Sequence, residues 1–151
     1  MSFKMFIEQQ EEDKDILKTL DKLPSDHSDL IKGYHVKLVA GNTLDNDDEH
    51  IGYMDKAPKE IVVASPWNYG REFTLLHEIG HRVYETLDNK NRQAWSKIVK
   101  QVKTAEQSKE LNQSEEELFC MIYSQYFTDT KLKKFDFPKL LDFIQRICAR
   151  N

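Results

Sequence analysis

Among the 151 residues of the chain, His77-Glu78-Ile79-Gly80-His81 is the stretch whose residue types and spacing can do chemistry. Side chains four apart on an α-helix lie one above the other, so both imidazoles can point the same way and take two corners of a tetrahedral zinc site. Glu78 lies about 100° round the helix from His77, within reach of water at the metal but poorly placed to be a ligand beside both histidines. It is the natural general base. A carboxylate that accepts a proton from metal-activated water and passes it to the leaving amine completes amide hydrolysis, so the chemistry implied is cleavage of peptide bonds. The bland alternative is two surface histidines and a solvated glutamate on a core helix. Gly80 argues against it, because glycine costs about 1 kcal/mol in a helix interior relative to alanine and implies a close neighbour that a side chain would exclude.

A catalytic zinc takes three protein ligands and leaves one position open. The other histidines, His27, His35 and His50, all precede the motif and read as loop or strand residues rather than ligands. Glu85, one turn beyond His81, lies about 6 Å further along the helix axis and reads as a supporting or surface residue. That leaves the acidic run Glu115-Glu116-Glu117. Glu117 shares a helical face with Cys120, Met121 and Ser124, two of them small, which lets its helix approach the motif helix closely at Gly80. Glu117 is therefore the expected third ligand and Glu116 the next candidate. The competing role for Glu117 is a capping box with Ser114, three residues before it.

These residues need elements to hold them. Ile16, Leu17, Leu20 and Leu23 recur at helical spacing, and Pro24 stops the pattern. Tyr34 to Val39 suits a strand, followed by the acidic turn Asp45 to Glu49. Ile51 to Met54 and Glu60 to Ala64 flank a proline-containing connection and read as a hairpin. From about Asn68 the period becomes 3.6, with Phe73, Leu76, Gly80, Val83, Tyr84 and Leu87 on one face of a core helix. Further helices are expected over about Arg92 to Thr104, from Ser114 through Phe127, and from Pro138 through Cys148.

Composition narrows the classes. With 22 basic and 26 acidic residues the net charge is −4, and the basic residues are scattered, so neither nucleic acid nor an anionic membrane is an expected partner. No apolar run approaches the roughly 18 residues of a membrane span, and the first residues turn acidic before a signal-peptide core can form, so a cytoplasmic location is expected. Cys120 and Cys148 lack metal-finger spacing and read as small core residues.

The motif helix, followed after about 35 residues by Glu117-Leu118-Phe119-Cys120-Met121-Ile122-Tyr123-Ser124-Gln125-Tyr126-Phe127, resembles the gluzincin branch of zinc metallopeptidases. Within it, the second segment is similar to the E-[FY]-F-A-E-A-F signature of the anthrax lethal factor and Pro-Pro endopeptidase family, the resemblance covering roughly residues 51–129. The resemblance implies that His77, His81 and Glu117 bind Zn²⁺ and that Glu78 activates water. The chain departs from that family at Glu110, where a tyrosine usually stands, and at Met121, the place of the second glutamate. The segment Arg71 to His81 also looks like the ImmA/IrrE group of cytoplasmic zincins encoded with mobile elements and phages, which cleave repressors.

The expectation is a single α+β, zincin-like domain over residues 1–151, mostly helical with a small antiparallel or mixed sheet packed on the motif helix. It divides into an N-terminal helical segment (1–33), the small sheet (34–66) and the catalytic and ligand helices (67–151). The expected function is a zinc-dependent endopeptidase acting on a protein or peptide substrate. The alternative is a catalytically weak or inactive zinc-binding interaction module of a phage or toxin system. Tyr126, Tyr123 and Tyr69 are the candidates for an oxyanion donor, and Trp67 for lining the cleft. The strand Glu60 to Ala64 is the expected sheet edge for an extended peptide substrate.

Overall fold

The computed structural model describes residues 6–7, 18–40, 52–56, 59–65, 71–128 and 137–149. Its sheet has four strands: β1 (Phe6–Ile7), β2 (His35–Ala40), β3 (Gly52–Lys56) and β4 (Lys59–Ser65). Their spatial order is β1-β2-β4-β3. β3 and β4 form the expected antiparallel hairpin, Lys56 opposite Lys59 and Met54 opposite Ile61. β2 runs parallel to β4, Val36 opposite Ile61, and the two-residue β1 runs parallel to β2. β4 is thus internal, paired on both sides, and the strand at that side of the sheet is β3. This corrects the expectation that Glu60 to Ala64 forms an edge.

Among the described residues, these helices follow or interleave: α1 (Ser25–Leu30), α2 (Arg71–Thr86), α3 (Asn89–Glu106), α4 (Glu115–Thr128) and α5 (Pro138–Cys148). Before them, helical turns at 18–20 end short of Pro24. Pro24 closes one helix and stands as N-cap of the next, so α1 falls within the expected N-terminal helical segment and places His27, expected in a loop or strand, in a helix. Gly33, with φ +84°, makes the left-handed turn into β2. α3 starts earlier than Arg92 because Asp88 Oδ1 accepts the Asn91 N–H at 2.8 Å. It ends at Gln107, whose φ of 50° breaks the helix.

The expected α+β class is corrected: the protein is mostly helical. The reason lies in where the core sits. α2 packs on α4, α4 on α5 and α3 on α5, and the apolar stripes of these helices supply most of the buried side chains. Trp95, Phe119 and Tyr123 are fully buried at its centre, with the Trp95 and Phe119 rings edge-to-face at 5.5 Å. Each such side chain stabilises the fold by roughly 1.5–3 kcal/mol when withdrawn from water. The sheet lies along the other side of α2, which touches β4 and β3. The result is that α2 is held from two sides, by a helix and by a sheet, while carrying the motif.

Among the described residues, no helix is long and apolar enough to cross a membrane. Cys120 is buried and Cys148 half-buried, both as free thiols.

Candidate metal centre

Two helices build the site. On α2, His77 and His81 stand one turn apart and half-buried, ring centroids 5.2 Å apart and planes at 75°. Facing them is the first turn of α4, with Glu115, Glu116 and Glu117 in succession. Carboxylates are favourable there because the helix dipole leaves that end partly positive. Ser114 Oγ accepts the Glu117 N–H at 3.1 Å, which is half of a capping box. The Glu117 carboxylate does something else: His77 Nε2 donates to its Oε2 at 2.9 Å, and His81 Nε2 lies 3.3 Å from its Oε1.

The neighbouring glutamates diverge. Glu116 Oε2 accepts from His81 Nδ1 at 2.7 Å, on the far side of that ring from Glu117. Glu115 turns to α3, accepting from Ser96 Oγ at 2.8 Å, while its carbonyl accepts from buried Trp95 Nε1 at 2.7 Å. Three consecutive carboxylates therefore do three jobs: one anchors the helix start to α3, one meets both histidines, and one fixes the orientation of His81.

The charges follow. Burial disfavours the His81 imidazolium, but hydrogen bonds to Glu117 and Glu116 and the nearby charge of Glu78 outweigh it and raise its pKa to about 9. Hydrogen bonds from His77 and His81 hold the Glu117 carboxyl well below the usual carboxylate range, against its partial burial. The pocket of donors is thus filled by protons that a divalent cation can replace.

Gly80 sits between the two histidines on α2, against Cys120 of α4. A β-carbon built on Gly80 would lie 3.1 Å from Cys120 Cα and 3.4 Å from its Sγ. That is the close neighbour the glycine implied. The Cys120 sulfur and one ring nitrogen from each histidine all lie within 4.8 Å of one another.

Comparison with protein-family models and with curated proteins finds no match.

His77, His81 and Glu117 come together as the spacing suggested, and Glu116 joins them through His81 rather than in place of Glu117. Glu78 is half-buried on α2, near enough for its charge to act on His81. Glu85 is exposed. His27 is buried and its Nδ1 lies 2.9 Å from Tyr123 Oη, so both are committed to the core, which removes Tyr123 as an oxyanion donor. Tyr126 is half-buried with its ring edge-on to Phe127 at 4.9 Å. His35 falls in β2. His50, Tyr69 and Trp67 lie outside the described residues.

Cys120 lies on the Glu117 face of α4 and against Gly80, as the spacing expects, but its sulfur also stands beside the imidazoles, a donor place that a small core residue does not imply.

Proposed function

We propose that the chain is a zinc-dependent endopeptidase of gluzincin type. The observation that carries this reading is the convergence of His77 Nε2 and His81 Nε2 on the Glu117 carboxylate from a separate helix. Two imidazoles and a carboxylate are the ligand set of a catalytic zinc that keeps one position open. The donor set fits zinc better than magnesium or calcium, which take oxygen ligands.

His77, His81 and Glu117 would hold the ion, and Glu116 would orient His81 by accepting from Nδ1, leaving Nε2 for the metal. A bound zinc ion supplies Lewis acidity, polarising a peptide carbonyl and rendering water a better proton donor. Glu78 takes the proton of the attacking water and delivers it to the leaving nitrogen, so that one carboxylate serves as base and then as acid. β3, at the edge of the sheet and in contact with α2, is the strand to which an extended peptide would add through backbone hydrogen bonds.

The test is hydrolysis of a proteome-derived peptide library. Cleavage should vanish with a chelator and with Glu78→Gln, while the variant still binds about one zinc per chain. Zinc retained with no peptide cleaved would instead favour a zinc-binding interaction module of a phage or toxin system. That second reading draws support from Tyr123, whose hydroxyl is committed to His27 rather than offered to a reacting carbonyl.

A further inference from the structure

We propose that Cys120 is a sulfur ligand of the ion held by His77 and His81, which makes the centre selective for borderline-soft divalent ions such as zinc and cobalt over magnesium and calcium. The proposal rests on the metal-site reading above and goes further in naming the donor that sets which ion is taken. Three donor atoms, the Cys120 sulfur and one nitrogen of each imidazole, lie within 4.8 Å of one another. With zinc–nitrogen bonds of about 2.0 Å and zinc–sulfur bonds of about 2.3 Å, neighbouring tetrahedral donors stand about 3.5 Å apart. An ion therefore has to draw these atoms together by at most about 1.3 Å, a distance covered by small side-chain rotations.

The close approach of α4 to α2 brings the sulfur to the histidines. Gly80 lies between the histidines, and the spot where its β-carbon would be is 3.1 Å from Cys120 Cα and 3.4 Å from both its Cβ and its Sγ, so Cys120 as a whole packs against that point of α2. Glu117 and Cys120 stand three apart and share the face of α4 that is turned to α2. Cys120 is fully buried, so the sulfur meets the ion from the protein side. On coordination the thiol proton leaves to solvent and a sulfur lone pair binds the cation; no oxidant or reductant takes part.

A thiolate with two imidazoles is a poor host for oxygen-seeking ions and a good one for zinc and cobalt.

The test is a titration of the metal-free full-length chain with Co²⁺, followed by absorption. Wild type and Cys148→Ala should show the visible bands of tetrahedral cobalt together with a near-ultraviolet sulfur-to-cobalt charge-transfer band. Cys120→Ala and the near-isosteric Cys120→Ser should keep the visible bands and lose the sulfur band. X-ray absorption of the zinc-loaded wild type, which needs no variant to fold, should show one sulfur neighbour. Visible bands without a sulfur band in wild type, or a sulfur band that survives both Cys120 variants, would overturn Cys120 as a ligand and leave His77, His81 and Glu117 standing. Failure of the wild type to bind either cobalt or zinc would overturn both this proposal and the peptidase reading.

Discussion

Gly80 of α2 rests on Cys120 of α4 so closely that an added β-carbon would stand 3.1 Å from the Cys120 α-carbon. The histidines one residue after and three before Gly80 are thereby brought against the helix that carries Glu117. Gly80→Ala should show the cost of losing this approach. Alanine gains about 1 kcal/mol of helix propensity. Forcing a methyl into a backbone contact costs about 1–3 kcal/mol, and the backbone of α4 is not a flexible neighbour. The variant should be less stable by up to about 2 kcal/mol and bind zinc more weakly, because α4 must move away. Urea midpoints and zinc affinity check both; a midpoint at or above that of wild type would refute the packing argument.

Glu116 and Glu117 are adjacent in sequence but hold His81 by different nitrogens. If Glu117 is a ligand and Glu116 an orienting partner, their losses differ in size. Removing an outer partner typically weakens metal binding by about 10–100-fold. Glu116→Ala should fall in that range, and Glu117→Ala should exceed it. Competition with a chromophoric zinc chelator measures both. Equal losses, or a larger one for Glu116→Ala, would reverse the assignment.

What the sequence yields here depends on how local the cause is. The motif helix, the capping serine at 114 and the opening of α5 at Pro138 follow from residues within a turn or two of each other, and they lie close to where the spacing put them. β1 was invisible because two residues, Phe6 and Ile7, form a strand only by pairing with β2, about thirty residues on. The placement of β4 between β2 and β3 is likewise non-local, and it moved the sheet edge from Glu60–Ala64 to Gly52–Lys56. Pro24 is both the stop of one helix and the N-cap of α1, and only the first of these follows from the apolar spacing of Ile16 to Leu23. At the site, residue type and period placed the imidazoles and Glu117, whereas the separate partners of Glu115 and Glu116 depend on how α4 meets α2 and α3, which no local pattern encodes.

Buried His27 gives the fold a pH dependence of known sign. Burial holds its imidazole below its ordinary value of 6.5, against the opposing charge of Asp26. In the unfolded chain it protonates near 6.5, so on acidification the unfolded state takes up a proton before the folded state does. Its contribution is complete above that value and lost as pH falls towards the folded pKa. His81, raised to about 9, works in the opposite sense, its stabilisation fading as pH rises through that value. The difference between wild type and His27→Gln therefore isolates His27. The gap between their urea midpoints should narrow as pH falls from about 7 to about 5. A gap that widens on acidification would mean that the folded imidazole is charged.

Metal binding should stabilise the chain through the two helices it joins. A ligand at 100 times its dissociation constant adds about 2.7 kcal/mol to the folded state. At roughly 2–4 °C per kcal/mol for a protein of this size, zinc should raise the melting temperature by roughly 5–11 °C. His77→Ala and Glu117→Ala should abolish the rise because each removes a donor, whereas Glu78→Gln should keep it because the amide replaces a base and not a ligand. The pair of outcomes for Glu78→Gln is the discriminating one: a retained thermal shift with lost cleavage assigns Glu78 to proton transfer. A lost shift would place Glu78 among the groups that hold the ion and leave the chain without the base that peptide hydrolysis requires.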